Sequence, residues 1–199
     1  MKPPVSYLKT TPLEERVKSS FYRAHLSEEY TRAMRVRALA LLLAKQYGLD
    51  ADQVSAAALL HNISRLLPES SYLETAHEYN VEVLPTEQNN PALLHQKISR
   101  ILAVEQFNIG DKEVLNAIAC HTTLRPSATL LDKIIFWASK QCNTPAAAYA
   151  FGTRQPPTAE KDLNAAIYSY LFNLLHNSRF AAQAHPWAQA ALAELKPLI

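Results

Sequence analysis

Glycine is scarce in this sequence, where 3 of the 199 residues are Gly and 12 are Pro. Average usage of about 7% would give a chain of this length roughly 14 glycines. Tight β-hairpins and phosphate-cradling loops depend on glycine, because glycine alone adopts positive φ angles without strain. The low count therefore argues against an all-β fold, a Walker loop and a dinucleotide-binding loop.

Cysteine and long apolar runs are scarce as well. The two cysteines, Cys120 and Cys142, lack the spacing of a zinc site, and they fit a reduced protein as well as a single disulfide. The first residues form no apolar signal segment. The longest apolar runs are far shorter than the ~20 residues that cross a bilayer. We therefore expect a soluble cytoplasmic protein with no membrane partner.

Charge of one sign is also limited. Twenty Lys and Arg residues against 18 Asp and Glu leave a formal net charge of +2. A nucleic-acid-binding surface usually carries a denser basic patch, so we expect no nucleic-acid partner. This weak overall charge is still compatible with a small anionic ligand.

The chain is rich instead in residues that form helices. Apolar residues make up 48% of the sequence, and many are Ala and Leu, which are strong helix formers. Apolar spacings and capping residues predict a series of helices, namely 12–25, 27–47, 51–66, 69–79, one from Pro91, one from Asp111, 128–141, 159–178 and one after Pro186. Polar loops are predicted at 80–90 and 143–158. The sequence thus predicts an all-α fold, with a lead-in and first helix at 1–25 and a single domain over 26–199.

Several positions predict where individual helices begin and end. Thr11 is expected to cap the first helix, with Pro12 at its first position. Ser27 and Asp50 are expected N-caps of the two helices that follow. Gly48 is expected to end the helix between them.

Three of the seven histidines lie on the inward faces of three different predicted helices. These are His61, His95 and His121. A single inward histidine is most often a packed, hydrogen-bonded residue of the core. Three on successive long helices could instead supply converging imidazoles, which are common metal ligands.

The segments around these histidines resemble, in order, the motifs of the HD-domain phosphohydrolases. Residues 58–65 (ALLHNISR) resemble LLHDI-[ST]-[KR], residues 93–96 (LLHQ) resemble LLHG, residues 117–123 (AIACHTT) resemble AI-x-x-HT-[TS], and residues 131–139 (LDKIIFWAS) resemble LDKIIY-x-AD. Order and spacing are similar to the YqeK-type branch, which splits symmetrical diadenosine tetraphosphate into two ADP. The resemblance covers about residues 26–199. It implies an HD-domain helical bundle and makes a homodimer plausible.

The resemblance also implies six ligands, in the order H…HD…H…H…D, around two metal ions, commonly iron. Histidine remains at three of these positions, as His61, His95 and His121. The first histidine falls instead on Arg32, the Asp of the HD pair on Asn62 and the last Asp on Ser139. The acidic and basic stretch that begins with this last ligand, ADYIEP-x-R in the family, reads ASKQCNTP over 138–145, so its Glu and Arg are gone.

These substitutions remove negative charge where two divalent ions would need it. Asn62 and Ser139 are neutral, and an amide oxygen is a poor bridging ligand. A guanidinium at about 5 Å from a divalent ion costs on the order of 6–7 kcal/mol at an effective dielectric near 20. This cost would weaken metal binding by roughly four to five powers of ten unless Arg32 turns away. We expect no dinuclear site and no bound cofactor.

The first functional hypothesis is therefore a degenerate family member that no longer hydrolyses its substrate through a metal. Arg32, His61, Arg65, His95 and His121 would bind a nucleotide or phosphate, because arginine suits phosphate geometry. Asn62, Ser139 and Thr122 would be the remnant of a catalytic site. An inert scaffold, with Arg32 paired to an acid such as Glu28 or Glu29, is an equally weighted alternative.

Two further hypotheses stay open. The protein could be an active nucleotide phosphohydrolase with a rebuilt site, holding a single Zn at His61, His95 and His121 or else a di-iron centre. Alternatively, it could be a protein-interaction module whose surface is the exposed part of the C-terminal helix, with Tyr168 and Phe172.

Overall fold

The computed structural model describes residues 11–143, 160–176 and 185–196. Within these ranges the chain forms ten α-helices and no strand, which confirms the predicted all-α fold. The helices are α1 Leu13–Arg23, α2 Ser27–Tyr47, α3 Ala51–Leu60, α4 Tyr72–Glu78, α5 Pro85–Asn89, α6 His95–Glu105, α7 Lys112–Cys120, α8 Leu130–Asn143, α9 Glu160–His176 and α10 Pro186–Leu195. Short 3-10 helices occupy Ile63–Leu66, Glu69–Ser71 and Pro91–Leu94.

Helix α8 lies at the centre of the core. It packs against α2 and α7, and α3 contacts both of these neighbours. Every residue from Leu131 to Lys140 is buried. An amphipathic surface helix would expose one side, so α8 has no solvent face along this stretch. Polar residues within it, including Ser139 and Lys140, are therefore held inside the protein.

Two of the predicted N-caps are wrong. The structure begins α1 after Pro12, not Thr11, because the Pro12 carbonyl accepts the bond from Arg16. Likewise the carbonyl of Leu26 accepts from Glu29 and Tyr30, so Leu26 is the capping position and Ser27 is the first helical residue. Neither cap makes a side-chain hydrogen bond.

The other predicted helix boundaries in α2 and α3 are confirmed. Asp50 accepts hydrogen bonds from the backbone N–H groups of Asp52 at 2.8 Å and Gln53 at 3.0 Å. Gly48 ends α2 with a φ of +69°, a left-handed conformation that costs glycine little. Asp111 likewise caps α7.

The predicted helix over 51–66 is interrupted. Helix α3 ends at Leu60, His61 is its C-cap, and Asn62 has a φ of −114° that leaves the helical region. A 3-10 turn then follows, closed by the bond from the Arg65 N–H to the Asn62 carbonyl at 3.1 Å. The interruption places His61 and Asn62 at the end of a helix, where their side chains are directed by a turn.

The predicted loop at 80–90 contains the short helix α5. Pro85 starts it, and the carboxylate of Glu87 accepts a bond from the Leu84 backbone N–H at 2.8 Å, which satisfies a donor at the helix start. The predicted loop at 143–158 falls outside the described residues except for Asn143, the last residue of α8.

The C-terminal part of the chain covers one side of the bundle. Helix α9 contacts α8, and α9 and α10 pack together. Leu163, Ile167 and Leu171 are buried apolar residues of α9, and Ala191 and Leu195 are buried in α10. In the described parts of the chain, no helix combines the length and apolar character that crossing a membrane requires.

Candidate functional site

The three histidines predicted to converge all lie at helix ends. His61 follows α3, His95 begins α6 and His121 follows α7. Each ring places Nδ1 against the carbonyl three residues earlier, on Ala58 at 2.7 Å, Ala92 at 2.7 Å and Ile118 at 2.8 Å. Because a carbonyl only accepts, each Nδ1 donates and each neutral ring carries its lone pair on Nε2.

The three imidazole rings lie next to one another. The ring centroids of His61 and His121 are 4.9 Å apart, and those of His95 and His121 are 5.0 Å apart. The Nε2 atoms of His95 and His121 lie 3.2 Å from each other, while Nε2 of His61 is buried with no hydrogen-bond partner. Two lone pairs at this distance repel, so the cluster is suited to a cation or a hydrogen-bond donor between the rings.

A proton on one of the rings is not that cation near neutral pH. Burial lowers the pKa of His61 and of His95 to about 4, and it lowers the pKa of His121 well below its ordinary value. The positive charge of Lys140 adds to this effect on all three rings. The three imidazoles are therefore neutral at pH 7, and each carries an acceptor lone pair on Nε2.

The two arginines predicted to bind phosphate lie near the cluster. Arg32, on α2, places Nη1 3.6 Å from Oε1 of Glu29, one of the two acids considered as its partner, and its side chain is 31% exposed. Its charge still lowers the pKa of His61. Arg65, on the 3-10 turn after α3, acts in the same way on His95.

The residues at the missing carboxylate positions use their polar groups differently. Ser139 places its hydroxyl 2.7 Å from the Phe136 carbonyl and 3.1 Å from the His121 carbonyl, so backbone acceptors hold its proton. Asn62 is 7% exposed and its Oδ1 has no hydrogen-bond partner. Ser139 thus secures the turn that carries His121, and Asn62 offers a neutral oxygen.

Thr122 connects the cluster to its surroundings. Its Oγ1 lies 2.8 Å from Nε2 of His95, and since this nitrogen is unprotonated, the hydroxyl donates. The structure therefore gives His95 a partner, whereas His61 has none for its Nε2.

The residues present do not fit a two-metal centre. Among residues 11–143, 160–176 and 185–196, no three His, Cys, Asp or Glu side chains are placed to hold one metal ion. The cluster offers three imidazole nitrogens and no carboxylate to bridge or neutralise two divalent ions. One local distance does fit a single ion, because the 3.2 Å between Nε2 of His95 and His121 is close to the ~3.3 Å edge of a tetrahedral zinc site with 2.0–2.1 Å bonds.

Lys140 is a charged residue of this region that the sequence reasoning missed. It is 9% exposed, and no described residue gives it a hydrogen bond or a carboxylate partner. Its Nζ lies 5.0 Å from the ring centroid of Phe136 and 6.0 Å from that of Tyr170. Such contacts contribute about 0.5–2 kcal/mol, less than the several kcal/mol that desolvating a charge costs, and burial lowers the pKa of Lys140 to about 7.

The signal for Lys140 was its place in the sequence. It comes directly after the apolar run 134–138 (IIFWA) and Ser139, a run longer than one helical turn that indicates burial around this part of the helix. In the resembling family motif the same position holds the aromatic residue of ADYIEP.

Gln96 is the second residue missed from sequence. It is fully buried, and its Oε1 accepts from the backbone N–H of Thr122 at 3.1 Å and of Thr123 at 3.4 Å. Its Nε2 donates to Oγ1 of Thr123 at 3.0 Å. Gln96 thereby fixes the turn after His121 against the start of α6, beside His95. It stands where the resembling motif LLHG has glycine, and this difference could have drawn attention to it.

Comparisons with known proteins identify the family to which this chain belongs. The HD domain family matches residues 30–144 of the chain. The chain belongs to the HD domain family. A protein of Halalkalibacterium halodurans named symmetrical bis(5'-nucleosyl)-tetraphosphatase is 32% identical over 161 residues, which cover 77% of this chain and 81% of that protein. A protein of the same name from Bacillus subtilis is 28% identical over 148 residues, 73% of this chain and 77% of that one.

A solved structure gives the same assignment. The crystal structure of a predicted HD superfamily hydrolase involved in NAD metabolism, from Clostridium acetobutylicum, superposes with a TM-score of 0.76 at 26% sequence identity. The match covers 92% of this chain and 96% of that one. The predicted resemblance to YqeK-type HD-domain phosphohydrolases is thus confirmed at the level of family and fold.

Proposed function

We propose that this HD-domain protein binds a nucleotide or another phosphate ester at its histidine cluster and does not hydrolyse it through a metal centre. The observation that carries the proposal is the donor set. Histidines remain at 61, 95 and 121, but the two carboxylate positions hold Asn62 and Ser139, and backbone carbonyls hold the Ser139 hydroxyl. The relatives named symmetrical bis(5'-nucleosyl)-tetraphosphatase support a nucleotide as the ligand.

The protonation of the cluster determines how a phosphate would bind there. Each neutral imidazole presents a lone pair on Nε2, so a phosphate oxygen can approach only with a proton between the two atoms. A bound anion favours the charged form of a nearby histidine and raises its pKa. Binding is therefore coupled to proton uptake, and Arg32 and Arg65 supply charges that do not depend on pH.

A second candidate is an active phosphohydrolase with a rebuilt single-ion site. It is favoured by the 3.2 Å separation of Nε2 on His95 and His121 and by the unpartnered Nε2 of His61. Bound there, a zinc ion would supply Lewis-acid chemistry and an activated water.

A third candidate is a protein-interaction module, including self-association. On α9 the ring of Phe172 stacks against Tyr168, with centroids 6.0 Å apart, and against His176 at 4.0 Å. Phe172 is 42% exposed, so this aromatic row reaches the surface. Light scattering over a range of protein concentrations tests whether it supports a homodimer.

The first test measures metal content, turnover and binding on the full chain. We expect near-zero Fe, Mn and Zn per purified chain, and no ADP release from diadenosine tetraphosphate with any of these metals added. Calorimetry with ADP should show saturable binding that strengthens as the pH falls, because binding takes up protons. One or two tightly held ions per chain, or turnover in the usual enzymatic range of about 1–1,000 per second, would contradict the proposal.

A variant that restores the family residues serves as the positive control. It combines Arg32→His, Asn62→Asp, Ser139→Asp and Lys140→Tyr, which returns a fourth histidine and both carboxylates and removes two positive charges. We expect this variant to retain metal through purification and to release ADP. A gain confined to this variant would assign the loss of metal chemistry in the natural chain to these four positions.

A further inference from the structure

A cavity of about 210 Å³ lies beside the histidine cluster, where the segment before α6 and the turn after α7 meet α8, α9 and α10. Leu93, Leu174 and Leu175 form much of its apolar wall, and Asn90, Thr122 and Lys140 contribute polar groups. The three clustered histidines and the two arginines near them do not line it. The cavity is therefore a neighbouring space that touches the cluster through Thr122.

Lys140 is the group in this cavity whose charge no residue that the structure describes neutralises. It is more than nine-tenths buried, and no described residue supplies an acid or a hydrogen-bond acceptor to its Nζ. Two other polar groups of the lining already have partners within the protein, since Thr122 donates to His95 and the His185 ring contacts Glu87 and the Trp187 N–H. A buried ammonium normally has a counter-ion, so the missing partner here points to an anionic ligand.

The volume and lining of the cavity limit the size and the charge of the anionic ligand. Pockets for drug-sized ligands span about 300–1,000 Å³, whereas an apolar cavity of about 150 Å³ is enough to bind benzene. A space of 210 Å³ thus holds one ring-sized apolar group together with a small charged group. One lysine balances one unit of negative charge.

We propose that Lys140 and this cavity bind a small organic anion, either a carboxylate or a phosphate monoester, attached to an apolar group about the size of a benzene ring. The charged group lies against Nζ of Lys140, between Thr122 and Asn90. The apolar group lies against Leu93, Leu174 and Leu175. This site goes beyond the proposed nucleotide binding and does not depend on what the histidine cluster holds.

Calorimetry with three probes tests the site: benzoate, its neutral counterpart benzamide, and phenyl phosphate. The measurements are made at about pH 6, below the pKa of about 7 that burial gives Lys140, on protein treated with a chelator. We expect saturable binding of benzoate or phenyl phosphate and at least tenfold weaker binding of benzamide. The stronger of the two anions identifies the charged group as carboxylate or phosphate.

Two matched variants isolate the charge. Lys140→Met keeps nearly the same side-chain length and removes the ammonium. It should weaken binding of the preferred anion by about 30-fold or more, the equivalent of about 2 kcal/mol. The same variant should bind benzamide with the affinity of the natural chain. Lys45→Met makes the same substitution at an exposed position of α2 and should bind all three probes as the natural chain does.

A third variant tests the cavity without touching the charge. Leu174→Trp places a large side chain in the cavity and should abolish anion binding while Lys140 remains. The test therefore still gives a result if Lys140→Met does not fold. Equal affinity for benzoate and benzamide, unchanged anion binding in Lys140→Met, or no binding of either anion would each overturn the proposal. Because benzoate carries no phosphate or nucleoside, these failures leave the ADP measurement unaffected.

Discussion

At the scale of single residues, Lys140 links the pH to the stability of the protein. Burial lowers the pKa of Lys140 from 10.5 in the unfolded chain to about 7 in the folded protein. Between these values the unfolded chain binds a proton that the folded protein does not, so unfolding gains free energy from protonation. The stability lost to Lys140 is therefore greatest at pH 7 and below, and it is recovered as the pH rises toward 10.5.

We expect Lys140→Met to be more stable than the natural chain at pH 7, by as much as about 5 kcal/mol. The difference in the free energy of unfolding between the two proteins should shrink steadily as the pH is raised to about 10. Urea unfolding of both proteins across this range measures it, and the comparison cancels the titration of other groups. A difference that stays constant with pH would show that the Lys140 ammonium is already stabilised in the folded protein.

The sequence predicted the histidines but not their orientation or the charge beside them. Apolar spacing placed His61, His95 and His121 on inward faces, and the structure brings their rings together. The hydrogen bonds from Nδ1 could not be predicted, since they depend on where each helix ends. Lys140 was missed because a lysine is usually exposed, and only tertiary packing shows that all sides of α8 are covered.

At the scale of helices and turns, Gln96 is the side chain that joins α6 to the turn after α7. Its amide carries the hydrogen bonds of two backbone N–H groups, those of Thr122 and Thr123. A buried donor that loses its partner costs about 1–3 kcal/mol. The position of Thr122, and hence its bond to His95, depends on this one side chain.

We expect Gln96→Ala to lower the free energy of unfolding by about 2–4 kcal/mol, because it leaves these backbone donors unpaired and opens a cavity. Urea unfolding measures the loss. Gln46→Ala, at an exposed position of α2, is the matched control and should change stability by less than about 0.5 kcal/mol. Equal effects of the two substitutions would argue against the role given to Gln96.

Helix boundaries were predictable where the signal is a single capping residue. Asp50 and Gly48 act as expected. The break after Leu60 was not predicted, because the apolar pattern of α3 continues into the 3-10 turn and no proline or glycine marks the interruption. The short helix α5 was missed because its capping acceptor, Glu87, looks like an ordinary polar loop residue.

At the scale of the whole molecule, a buried polar network attaches the C-terminal helix to the bundle. Glu87 of α5 is fully buried, with Oε2 2.7 Å from Nζ of Lys97 and Oε1 3.3 Å from Nε2 of His185. His185 caps α10 by accepting the Trp187 N–H. Burial alone would raise the pKa of Glu87, but hydrogen bonds from His185, the Leu84 N–H and Lys97 lower it.

We expect Glu87→Leu to cost about 3–5 kcal/mol of stability, because it removes the carboxylate that pairs with buried Lys97 and leaves the ammonium with the neutral Glu82 carbonyl as its acceptor. Combining it with Lys97→Met should recover part of that loss. Urea unfolding of the two single variants and the double variant gives the coupling energy. Strictly additive losses would show that the two groups do not stabilise each other.

The same network has a defined pH dependence. Since the pKa of Glu87 is lowered in the folded protein, its contribution is complete above its ordinary value of 4.5 and is lost as the pH falls through the lowered value. The difference in stability between the natural chain and Glu87→Leu should therefore narrow in acid. This network could not be predicted from sequence, since Glu87 and His185 are 98 residues apart in the chain.

The Nδ1 bonds of the three histidines have a consequence for how such a site can change over evolutionary time. Each ring is aimed by a carbonyl three residues earlier on its own chain segment, so its direction is a local property that does not require the other members. A site assembled from independently aimed parts can lose its acids one mutation at a time while the remaining rings keep their places.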